Sequence, residues 1–254
     1  MKGWDILAHS LRQVLGNLEG ALRVSAVLYL GQIAVGVLLA GGMFMGAGGP
    51  QAILRNGFSG GLAFSILLVL VVSVFASLWI AVGWHRYILL GEKAELVPTF
   101  RGDRIWAYFL RGLGYTLVLI VAGAVWGGIV GYGLSAVFGG STPLMLIGFA
   151  FLIQLPIMVF AFRMMAGLPG AALGADVDFM AGWKATAGHT SDIVGLVVLI
   201  VIALIGVQLI SWVLGHVVIL NVIFAVIVGW VQTMVGVSIL TTLYGHYIEQ
   251  RPLV

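Results

Sequence analysis

The sequence predicts an all-α polytopic membrane bundle of six transmembrane helices, in three repeats of one amphipathic surface helix plus a transmembrane hairpin. Three observations predict it. Hydrophobic residues make up 61% of the 254 and charged residues only 8%, against about a quarter charged in an ordinary soluble domain. The apolar residues come in blocks of about twenty, the length that carries a helix across roughly 30 Å of hydrocarbon. The blocks are apolar on every face and lack the alternation of barrel strands of about ten residues, so helices are the way left to satisfy the backbone.

Six uncharged stretches mark the spans: Val24 to Met45, Gly61 to Trp84, Gly114 to Phe138, Leu144 to Phe162, Ile193 to Leu214, and Ile219 to Leu243. Pro156 inside the fourth is expected to kink it, because proline removes a hydrogen bond and clashes with the preceding turn. Alternating spans put all of the 12 Lys and Arg except Arg55 on one side. The excess of Lys and Arg in short loops predicts that this side, with both termini, is cytoplasmic. Met1 to Arg23 spreads its charges along its length and does not read as a signal peptide.

The segments on the basic side carry structure of their own. Apolar residues at Trp4, Leu7, Leu11, Val14, Leu15, Leu18 and Leu22 follow helical spacing, with Asp5, Arg12 and Glu19 elsewhere, which predicts a helix lying in the headgroup layer. A second candidate runs from about Thr99 to Leu113, with Ile105, Trp106 and Phe109 against Arg101, Arg104 and Arg111. A third, about Phe179 to His189, is interrupted by Gly182 and Gly188. The pieces order into one membrane domain of three units, about 4–98, 99–178 and 179–254. Laying the unit ends over one another places Arg86, Arg163 and His246 at one equivalent position, although any interfacial helix end can carry a cation.

Surface helix plus hairpin, with Trp84-His85-Arg86, Leu89-Leu90-Gly91-Glu92 and the Gly182-Trp183 to Thr186-Ala187-Gly188 stretch, resembles the YciC-like membrane proteins and the membrane domain accompanying glycerophosphodiester phosphodiesterases. It is similar also to segments of alphaproteobacterial polytopic membrane proteins. The resemblance implies a membrane domain and no catalytic residues.

Gly57-Phe58-Ser59-Gly60-Gly61 matches the Gly-x-Ser-Gly of rhomboid-like proteases, with His216 on the same side as a base. Against it, Ser59 precedes the second span, no carboxylate lies on that side, and glycine with serine makes ordinary turns. His9, His85, His189 and His246 read as interfacial histidines rather than a haem or metal pair, and no cofactor or metal is expected. Without cysteine, thiol chemistry is excluded. Gln32, Gln154, Gln208, Asn221 and Gln232 are the polar groups within spans, where amides bond between helices more often than they bind solutes. The net charge of +3 sits beside the spans, which favours topology and lipid over nucleic acid.

Two small-residue stripes remain. Gly123, Gly127, Gly131, Ser135 and Gly139 recur every four residues, and Asn221, Ala225, Gly229, Gln232 and Gly236 make a comparable face. Either internal packing or a docking seam for a partner membrane complex suits such stripes. The sequence as a whole predicts a non-enzymatic accessory or scaffold protein of a bacterial inner membrane, with Arg12, Arg86, Arg104, Arg163, Lys184 and His246 toward anionic lipid headgroups. A transport or lipid-handling protein with a cleft between repeats is the alternative.

Overall fold

The long apolar blocks fold as helices because nothing else pairs their backbone groups inside a bilayer. In the computed structural model, residues 2–46, 60–138 and 143–253 are described. Their elements are α1 (Lys2–Leu15), α2 (Leu18–Gly46), α3 (Gly60–Leu90), α4 (Gly102–Phe138), α5 (Pro143–Met165), α6 (Pro169–Leu173), α7 (Ala181–Ala185), α8 (Thr190–Leu214) and α9 (Val218–Leu243). A π-helix, Tyr244–Ile248, continues α9. Among the described residues six helices are long and apolar enough to cross a membrane, so the chain is a multi-pass membrane protein. Pro156 lies inside α5, and the helix continues through it.

The three surface segments take three different forms. α1 is a discrete helix, but its apolar residues are divided between two faces. Gly3, Ile6, Leu7, Ser10 and Val14 are buried, whereas Trp4 and Leu15 are exposed, as are Leu18 and Leu22 at the start of α2. The helix therefore docks on the bundle through one stripe instead of laying a single greasy face on lipid. The second expected surface helix is the start of α4, which runs for 37 residues without a break. No proline or capping residue stops the ladder at Leu113 and Gly114, so it extends about 55 Å, far beyond the hydrocarbon thickness. The third is reduced to the single turn of α7, capped at Thr186, and Gly188 then turns the chain toward α8 at a φ of 81° that favours glycine.

The core lies at the end of the bundle that gathers the basic residues. Ile6 and Leu7 of α1 pack with Ile193, Leu196, Val197, Ile239 and Leu243 of α8 and α9. Ala81 and Val82 of α3 pack with Ile105, Tyr108 and Tyr115 of α4 and with Met164 and Leu168. Val14, Val24, Ile80, Trp84 and Met234 join α1 and α2 to α3 and α9. The N-terminal helix thus rests on the last hairpin. Close backbone approach makes this docking possible: a Cβ on Gly3 would meet the backbone of Leu196 at 2.6 Å and of Asp192 at 2.7 Å. Away from the basic end the spans present apolar side chains outward, Val37, Val121, Tyr132, Ile202 and Ile219 among them.

Candidate functional site

Among the six cations that the sequence directs at headgroups, Arg163 has the surroundings of an amphiphile site. The last turns of α5 carry it to the basic end, where its guanidinium lies over the Trp183 ring, 3.6 Å from the ring centroid. Arg163 Nε donates to Thr186 Oγ1 at 3.1 Å and Nη2 donates to the Trp183 carbonyl at 3.3 Å. Both Nη1 hydrogens and one on Nη2 are left without a protein acceptor among the described residues. A cation on an indole face keeps its charge and its in-plane donors available to an anion.

Trp183 is brought to Arg163 by Gly182. A Cβ at Gly182 would lie 2.7 Å from the Arg163 carbonyl and 2.8 Å from that of Met164, so only glycine lets α7 rest on the end of α5. Below the guanidinium runs a groove of about 390 Å³ lined by Pro156, Val159, Phe160, Arg163, Trp183 and Val194. Pro156 is seven residues before Arg163, about 10 Å deeper along the helix. The groove therefore has one charged end and apolar walls, between α5 and α8.

The other five cations are placed differently. Arg86 is turned inward: Nε and Nη2 bond Glu92, Nη2 at 2.6 Å, while Nη1 donates to the Ala172 carbonyl at 2.9 Å. Arg101 Nη2 reaches the same Glu92 oxygen at 3.0 Å. The Arg86 hydrogen bonds, aided by both positive charges, hold the Glu92 carboxyl below its ordinary range against the opposing effect of burial. Arg86 consequently ties the end of α3 to α6, and its donors are engaged within the protein. Lys184 bonds Asp178 at 2.6 Å and holds that exposed carboxyl below its usual range. His246 Nδ1 donates to the Arg251 carbonyl at 3.0 Å, folding the tail back on the π-helix. Arg12 is exposed on α1, and Arg104 pairs with Asp103 at 3.0 Å. Arg86, Arg163 and His246 do share a trait: each bonds the segment that follows its span.

His85 is where the structure overturns the interfacial reading of the histidines. It is fully buried, with Nδ1 2.8 Å from Thr241 Oγ1 and Nε2 3.1 Å from the Tyr108 hydroxyl. Thr241 gives its own proton to the Val237 carbonyl at 2.9 Å, so Nδ1 is the donor to Thr241 and Nε2 accepts from Tyr108. One turn from Leu89, the ring faces α4 and α9 rather than water. A parallel set joins α1 to α9: Ser10 with Thr242 at 2.9 Å, and Ser238 with Gln13 at 2.7 Å. The signal for these contacts was the run Ser238, Thr241, Thr242 at helical spacing, opposite Ser10 and Gln13 on the same face of α1.

The first glycine stripe faces α5. A Cβ at Gly127 would sit 3.6 Å from Ile153 Cδ1, and one at Gly123 3.7 Å from Ile157 Cδ1, both ordinary contact distances. The expected approach of two backbones is thus replaced there by isoleucines reaching into the space the glycines leave. Ser135 is exposed and bonds the Tyr132 carbonyl, Gly131 is half-buried, and Gly139, like Ser59 and Arg55, lies outside the described residues. On the second stripe, Gly229 receives Tyr29, whose hydroxyl donates to the Val226 carbonyl at 3.0 Å, and Asn221 accepts from Ser211 at 3.1 Å. Among the described residues no group of three or more His, Asp or Glu side chains could hold a metal ion. Compared with known protein families, curated proteins and solved structures, the chain matches none.

Proposed function

We propose that this chain is a non-enzymatic accessory or scaffold protein of a bacterial inner membrane that holds anionic lipid at its basic end, with that end and both termini cytoplasmic. The observation that carries the reading is Arg163, stacked on Trp183 at the charged end of an apolar groove between two spans. A phosphate headgroup there accepts the guanidinium donors left open, and an acyl chain lies along Pro156, Val159 and Val194. The exposed Trp4 and Leu15 on the outer face of α1 support the same reading, since tryptophan favours the headgroup level.

Nanodiscs of phosphatidylcholine with and without phosphatidylglycerol test it, read by native mass spectrometry of the released protein. Retention of phosphatidylglycerol by the wild type, reduced about tenfold in Arg163→Gln, is expected from loss of a charge-assisted contact. Equal retention by both proteins would remove Arg163 from the reading. The lipid-handling alternative draws on the outward-facing spans away from the basic end, and movement of labelled lipid between leaflets in proteoliposomes would favour it.

A further inference from the structure

We infer that a second site, in the cleft between the first turns of α4 and the segment after α6, binds a phosphate group through Arg104 and Arg111. The cleft has a volume of about 330 Å³ and is lined by Arg104, Ala107, Arg111, Gly174 and Asp176 among others. It lies apart from the Arg163 groove and does not rest on the lipid reading.

Helical periodicity brings the two arginines together. Arg104 and Arg111 are seven residues apart, two turns on one face of α4, and Ala107 between them leaves the cleft open. Arg111 is the decisive residue. Its Nη2 donates to the Val177 carbonyl at 2.6 Å, but no carboxylate lies within 4.0 Å of it among the described residues, and its enclosed Nη1 has no acceptor. A half-buried guanidinium without a counterion is costly, and so is an enclosed N–H without a partner. An anion in the cleft relieves the first directly, and the second after a small shift of the side chain.

The opposite wall is shaped for Arg104. Gly174 ends α6 with a φ of 78°, and a Cβ there would collide with Arg104 Nη1, so the guanidinium lies directly on a glycine backbone. Asp103 reaches Arg104 Nε at 3.0 Å from the exposed side, and Asp176 sits on the rim. Both acids are exposed, so water screens them more than it screens Arg111. Two guanidiniums entering from different heights of a helix suit a tetrahedral oxyanion, which offers oxygens in several directions, better than a planar carboxylate.

A phosphate ester can come from solution or from a lipid headgroup, and two arms distinguish the sources. In the first, the intact protein in dodecyl maltoside is titrated with glycerol 3-phosphate, against glycerol at matched ionic strength, following the thermal midpoint. In the second, phosphatidylcholine nanodiscs are compared with and without phosphatidic acid. The wild type and Lys93→Gln should show a saturable rise in midpoint in at least one arm. Arg104→Gln should shift half-saturation about tenfold or more in that arm, with Arg104→Lys between. Arg104 is 39% exposed, so neither change opens the core. A response in detergent assigns a soluble phosphate ester; a response confined to nanodiscs assigns a headgroup. No saturable rise in either arm, or equal titrations of wild type and Arg104→Gln, overturns the site. Loss of binding at Arg163 alone leaves this result unchanged.

Discussion

His85 Nδ1 lies 2.8 Å from Thr241 Oγ1, so a fully buried imidazole near the end of α3 is bonded to the last span. Thr241→Val keeps the shape and removes the acceptor. An enclosed donor left unsatisfied costs about 1–3 kcal/mol, so the midpoint of thermal unfolding in detergent should fall. Tyr108→Phe frees the other nitrogen. Because both partners bond one ring, the double variant should depart from additivity. An unchanged midpoint for Thr241→Val would remove the assigned bond.

Glu92 makes stability depend on acid. Hydrogen bonds from Arg86 lower its folded value below the ordinary value of 4.5, so its contribution is present in full above that pH and is lost as pH falls through the folded value. Unfolding followed from neutral pH downward should show a loss of stability beginning below about 4.5. Glu92→Gln should be less stable at neutral pH and should lack this part of the decline. Identical pH profiles would dissociate Glu92 from the tether of α3 to α6.

Gly127 and Gly128 differ only in direction. Ile153 lies 3.6 Å from a Cβ at Gly127, whereas Gly128 has open space. Gly127→Ala should therefore be tolerated. Gly127→Leu must displace Ile153 and should cost about 1–3 kcal/mol. Gly128→Leu should be close to neutral. A loss of folded monomer in Gly127→Leu indicates packing against α5, while a stable monomer that has shed a co-purifying protein indicates docking.

The absence of native cysteine makes orientation directly measurable. Cysteine at Gly215, between α8 and α9, should react with an impermeant maleimide added to intact cells, and cysteines at Ala94 and Gln250 should react only after lysis. The reverse pattern would invert the proposed topology.

Spans and the grouping of charge were legible because each is a one-dimensional property. A block of about twenty apolar residues has one stable state in a bilayer, and Arg104, Arg111 and Arg163 fall on the basic side by counting spans. What each cation touches was not legible. Arg86 and Arg163 occupy matching positions in the sequence, yet one is closed by Glu92 and the other lies open on Trp183. That difference depends on Gly182 admitting α7 to the end of α5, a contact between residues nearly twenty apart.

The sequence by itself determined the all-helical fold, the six spans and the gathering of the basic residues, since hydrophobic length and charge act locally. Only the tertiary structure decided that α1 docks on α8 and α9 through Gly3 and that His85 is enclosed. Each rests on a partner distant in the chain: the backbone of Leu196 for Gly3, and Thr241 for His85. Helical periodicity marks which face of a helix is apolar, but lipid and protein interior are alike to an apolar side chain, so the choice between them belongs to packing.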